Sequence, residues 1–185
     1  MTQIRDRYSA FTLTVHWLTA ALVVAQFAIA WITEDLDKPV RGFWMMGHKS
    51  IGLTILVITL VRLGVRLFHP ALPLPANTPG WQKIAARGSH ILLYILLIGM
   101  PLLGWIASTA SQRPILYFGL FTWPDLPFVP HERAISKLVM GWHEVGAWML
   151  LAIVAVHLLA AIKHGMIDKD GVLQRMLPFL SRPAA

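Results

Sequence analysis

Five of the eight histidines, His16, His48, His90, His143 and His157, lie in or at the edge of long apolar stretches. An ionisable side chain in hydrocarbon is costly, so by default it marks function. His143 and His157 share one stretch, 14 residues apart. That is about 21 Å along a helix and just under four turns. At about 100° per residue the second ring returns to within roughly 40° of the first. One helix thus offers an imidazole near each membrane surface, both on the same side. His16 matches the depth of His157, and His48 matches that of His143. Spacing therefore predicts two His/His pairs, one per leaflet.

Cysteine is absent, which removes disulfides, thiolate zinc sites, iron–sulfur clusters and covalent C-x-x-C-H haem attachment. A pair of neutral imidazoles on antiparallel helices suits the two axial positions of a six-coordinate haem b. With no open coordination site, such a centre favours electron transfer over oxygen binding. The predicted iron ligands are His16 and His157 for an inner haem, and His48 and His143 for an outer one. Zinc is the alternative metal, but it usually takes four ligands and only Glu144 is near in sequence. Wet interfacial histidines would explain any one ring, though not four at paired depths.

The remaining histidines are less defined. His90, at the start of the third stretch, competes with His16 as partner to His157 or contacts a haem propionate or a quinone. His69 and His131 read as loop residues. His164 follows Lys163 at the end of the fourth stretch and is a candidate proton donor to a quinone. Gly52, Gly104 and Gly146 let helices or a flat macrocycle approach the backbone, a role that helix packing alone also explains.

The elements that must position these residues follow from composition. The chain has 185 residues, 56% of them hydrophobic and 14% charged, against about 25% charged in soluble domains. Four apolar stretches, about 11–32, 44–67, 90–107 and 142–162, each suffice to cross roughly 30 Å of hydrocarbon as a helix. The expected fold is all-α, an integral membrane four-helix bundle forming one domain over residues 1–185. Proline and acidic clusters break the stretches, and the aromatic segment Ile115 to Trp123, too short to span, reads as lying along the interface. The first stretch is read as a retained span. Ala28-Ile29-Ala30 resembles a cleavage site, but the apolar run exceeds a signal core.

Four spans put both termini and the second connection on one side. That side carries ten lysines and arginines against three aspartates; the other carries six cations and six acids. The termini are therefore expected in the cytoplasm. The same asymmetry explains the net charge of +7 without nucleic acid as a partner. Arg62, Arg66, His90 and His164 gather at the cytoplasmic end, where a quinone needs hydrogen-bond donors and a proton route. Arg41, Lys49, Arg133 and Lys137 flank the outer histidines, where a cationic entrance would speed an anionic donor.

The sequence resembles the bacterial cytochrome b561 family of four-helix dihaem membrane proteins over almost its whole length. The similarity lies in His16-Trp17-Leu18, His48 with Gly52, Arg62 and Arg66, and Gly88-Ser89-His90 with Tyr94. It continues through Trp142-His143-Glu144, His157 and Leu173-Gln174-Arg175-Met176-Leu177-Pro178. The resemblance implies two haems b ligated by His16, His48, His143 and His157, in a bacterial inner membrane. It also implies a superoxide:ubiquinone oxidoreductase, carrying electrons from superoxide or another periplasmic donor to the ubiquinone pool. The alternative is a haem b subunit linking a periplasmic dehydrogenase or hydrogenase to quinone. A transporter or structural bundle without haem is the third class. Oligomeric state is not expressed in these patterns.

Overall fold

The structure, a computed structural model, describes residues 8–177 and 179. Arg5, Asp6, Arg7 and Arg182 of the charge pattern, and Pro178 of the tail motif, lie outside the described residues. Four helices follow one another: α1 (Ala10–Ile32), α2 (Lys38–Phe68), α3 (Gly80–Ala110) and α4 (Arg133–Lys163). All four are long and apolar enough to cross a membrane, and the architecture is an all-α membrane bundle.

Three helices outrun their apolar stretches. At 31 residues each, α2, α3 and α4 extend about 46 Å, well beyond the hydrocarbon. Their N-terminal turns begin at Lys38, Gly80 and Arg133, rather than at Trp44, His90 and Trp142. Hydropathy marks where lipid begins, whereas a helix continues until its backbone meets a cap or a breaker. The local signals agree: Ser9 Oγ accepts from Thr12 N at the start of α1, and proline stands in the first turn of α2 and at the N-cap of α3. Pro101 sits inside α3. It removes one ladder bond, which membrane helices tolerate where neighbours re-satisfy the backbone.

Packing runs in chain order. α1 lies on α2, α2 on α3 and α3 most extensively on α4. The bundle's central layer is Val23, Ile55, Leu96, Leu97 and Leu150, drawn from all four helices. Val23 follows His16 by seven residues, Ile55 follows His48, Leu97 follows His90, and Leu150 lies midway between His143 and His157. Seven residues are two turns, about 10 Å, and return to within about 20° of the same face. The apolar layer therefore separates the two depths at which histidines face inward.

The connection between α3 and α4 departs from expectation. Ile115–Tyr117 (β1) and Phe121–Trp123 (β2) form an antiparallel hairpin, with Ile115 opposite Trp123 and Tyr117 opposite Phe121. Its turn places Phe118 and Gly119 at φ +46° and +78°, closed by Leu120 N donating to Tyr117 O. Glycine meets the second positive φ without cost. The hairpin packs against α2. Fully buried Ser50 accepts from Phe118 N at 2.9 Å, and Thr54 Oγ1 meets Tyr117 Oη at 2.9 Å. Hydrophobicity alone did not reveal that these backbone groups pair with each other. Trp105 Nε1 then donates to Pro124 O, tying the rest of the loop to α3, and Ser136 Oγ donates to Ala107 O, tying the first turn of α4 there too.

The other end is closed by the tail. A π-helical turn, His164–Asp168, and a short 3-10 turn, Leu173–Arg175, follow α4. Trp17 Nε1 donates to Met176 O at 2.9 Å, and Arg175 Nη1 donates to Pro73 O at 2.7 Å. Ser50→Ala should leave Phe118 N–H without its partner and cost about 1–3 kcal/mol. Lower thermal stability in detergent, with faster hydrogen exchange confined to the hairpin, is the expected result.

Candidate functional site

α4 carries both predicted ligands on one face, and the structure brings each to the partner that spacing selected. The ring centroids of His16 and His157 are 6.4 Å apart, and those of His48 and His143 are 6.3 Å apart. An imidazole nitrogen sits about 2.0–2.1 Å from a bound metal and about 1.1 Å outside its own ring centre. Two imidazoles on opposite sides of one metal thus place their centroids about 6.3 Å apart. Both pairs have that separation. His90 also reaches the inner pair, but at 5.4 Å from His157 it is too close to share a metal across from that ring.

α4 packs chiefly on α3 and meets α1 and α2 through the apolar layer around Leu150 and through these imidazoles. Near the outer pair, His143 Nδ1 lies 3.1 Å from Met100 O. A carbonyl only accepts, so Nδ1 carries the proton and Nε2 keeps its lone pair for a metal. Gly104, one turn beyond Met100 on α3, has His143 Cε1 3.6 Å from where a Cβ would stand. Larger side chains would crowd the ring. The buried Nδ1 of His48 lies outside hydrogen-bonding geometry with any described residue, and the Gln26 backbone is the polar group nearest to serving it. Two imidazoles, no thiolate and no carboxylate form a donor set that fits haem iron.

The inner pair has different company. Arg62 Nη2 lies 2.9 Å from His16 Nδ1, and its guanidinium carbon is 5.8 Å from the Tyr94 ring centre. Sequence reasoning placed Arg62 among quinone-side cations; the fold puts it against a predicted ligand. Arg66 stands one turn further along α2, half-buried. The Trp17 ring packs edge-on to His16, centroids 5.2 Å apart.

His164 lies just past α4, with its Nδ1 2.6 Å from Asp170 Oδ2 and both side chains 12% exposed. Asp170 Oδ1 in turn accepts from Val172 N, while Lys163 Nζ pairs with Asp168 at 2.5 Å. Sequence reasoning found His164 but missed Asp170, because the contact depends on the π-helical turn and on Lys169 at φ +50°. A signal was present in the run of Asp168, Lys169, Asp170 and Gly171. Among the described residues, His164, Asp168 and Asp170 are the group of three whose donor atoms converge as a metal site would require. Neither histidine pair gathers a zinc-like set. His69 caps the end of α2, and His131 meets Gln112 at 3.1 Å, both in connections as expected. Met100 was also missed, since its contribution is a backbone carbonyl that no residue type announces.

Spanning helices with imidazoles paired across the bundle at two depths define a membrane cytochrome of the b type. The chain belongs to the prokaryotic cytochrome b561 family, which residues 7–179 match. It is 33% identical to cytochrome b561 homolog 2 of Escherichia coli, over 95% of this chain and 94% of that protein. It is 31% identical to the probable superoxide oxidase CybB of Yersinia pestis, over 95% and 98%. Cytochrome b562 of Cereibacter sphaeroides is 33% identical, over 92% and 94%. Membership makes this a multi-pass bacterial membrane protein of electron transfer, with an oxidoreductase role and haem b as its cofactor.

Gly146 is a packing test of the outer pair. A Cβ there would stand 2.5 Å from Met100 Sδ, so Gly146→Ala must turn aside the side chain of the residue whose carbonyl meets His143. Overpacking costs about 1–3 kcal/mol where neighbours are fixed, and the flexible thioether puts this site at the low end. The variant should unfold at lower temperature in detergent, and its haem absorption should change.

Proposed function

We propose that the protein is a superoxide:ubiquinone oxidoreductase with two haems b in the bacterial inner membrane, its termini in the cytoplasm. His48 and His143 would hold the outer haem iron, and His16 and His157 the inner. The observation that carries this reading is the pair of matched imidazole separations, 6.3 and 6.4 Å, on one shared helix. Held by two imidazoles, haem b supplies one-electron transfer without an open site for oxygen. Two superoxide ions oxidised to dioxygen yield the two electrons that, with two protons, convert one ubiquinone to ubiquinol.

The chain's own groups supply the rest. Arg41, Lys49, Arg133 and Lys137 would attract an anion to the outer face. Arg62, Arg66 and His90 would line the quinone side. His164 would deliver a proton: Asp170 engages its Nδ1, which leaves Nε2 as the exchanging nitrogen. The resemblance to the probable superoxide oxidase CybB supports the choice of donor.

Purified haem-loaded protein with ubiquinone should accelerate the loss of enzymatically generated superoxide and form ubiquinol. A requirement for a second polypeptide would instead favour a subunit that serves a periplasmic dehydrogenase or hydrogenase. His143→Ala should lose the outer haem alone, read by a pyridine haemochrome count; loss of the inner one inverts the assignment. His164→Gln should slow ubiquinol formation by roughly 10²-fold while reduction of the haem by superoxide continues at its normal rate.

A further inference from the structure

Arg62 is a cation inside the bundle with no carboxylate beside it among the described residues. Its recorded partners are His16 Nδ1 at 2.9 Å and the Tyr94 face at 5.8 Å. Among the described residues, the ion pairs all lie in the tail around His164. A guanidinium only donates, so His16 Nδ1 is the acceptor and a neutral ring carries its proton on Nε2. The outer end is the reverse, with His143 Nδ1 donating to the Met100 carbonyl. The cation nearest there in sequence, Lys49, turns its ammonium to Arg113 O at 3.3 Å. The two pairs thus differ in the group that meets a ring nitrogen: a guanidinium at one, with Arg66 a turn beyond, and a backbone acceptor at the other.

A cation beside a redox centre favours its electron-rich state. An acceptor on the ligand's second nitrogen makes the imidazole a stronger donor and favours the oxidised metal. Resting on the two-haem reading, we propose that Arg62 poises the inner haem at a higher potential than the outer, so that electrons entering at the outer face run downhill to the cytoplasmic end. Arg62 changes partner in this arrangement. Ligation through His16 Nε2 moves the ring proton to Nδ1, where it opposes the guanidinium. The side chain turns to another acceptor, and its charge stays at the same end, tethered to α2. A ligand that stayed hydrogen-bonded to Arg62 would be an imidazolate, which shifts the potential the other way.

Redox titration of the full-length, haem-loaded protein in detergent distinguishes these cases, after a pyridine haemochrome count. Fewer than two haems b per wild-type chain removes the two-haem reading itself. With two present, Arg62→Gln should change the ferrous-to-ferric ratio of the higher-potential haem about tenfold at fixed potential, a fall of about 59 mV. The lower midpoint should stay in place, and Arg62→Lys, which keeps the charge, should shift less. Arg66→Gln should lower the same midpoint by a smaller amount, and it serves as the test where Arg62→Gln loses haem. A higher midpoint that stays or rises, or a shift confined to the lower one, overturns the proposal.

Discussion

An imidazole in hydrocarbon has nowhere to direct its polar nitrogens except to a neighbouring helix or a bound group. The arrangement of this bundle follows from that constraint, because α4 carries two such rings on one side. Each must meet a different helix at a different depth, α1 for His157 and α2 for His143. The apolar layer of Val23, Ile55, Leu97 and Leu150 fills the interval, two turns from each histidine. Polar site, apolar seal and polar site therefore alternate along one face with a seven-residue spacing.

The two sites are alike in ligand type and unlike in surroundings. At the outer pair α3 supplies a carbonyl from Met100, and Gly146 allows that residue to come close to α4. At the inner pair α2 supplies a guanidinium from Arg62. Protein groups around a ligand tune a metal as much as the ligand does, so identical residues at the two depths need not behave alike. The end that carries Arg62 and Arg66 also holds the His164–Asp170 contact, which places a group able to exchange protons on the cationic side.

Both ends are covered by segments with little apolar core of their own. The hairpin depends on Ser50, a single buried hydroxyl that serves the backbone of Phe118. The tail depends on Trp17, which donates to its Met176 carbonyl, and on its own Arg175, which donates to the Pro73 carbonyl. Such polar fastenings suit segments at the membrane surface, where water competes for each bond and burial contributes less.

Span count and paired histidine depths were legible in the sequence because both are one-dimensional. Hydropathy counts residues against a membrane of known thickness, and helical periodicity converts 14 residues into a same-side placement. The seven-residue interval between the histidines and the central layer was equally legible, though it takes the fold to show that those residues meet. What tertiary structure alone decided are contacts made by groups without a residue signature, or between residues far apart in the chain. The Met100 carbonyl could belong to any residue type. Arg62 and His16 are 46 positions apart, and only the rotation of α2 against α1 brings them together. The hairpin hid behind aromatic composition, because strand pairing depends on a turn and on Ser50 of another helix. Distance along the chain fixes depth in a membrane; rotation about each helix axis, set by packing, fixes which partner each imidazole meets.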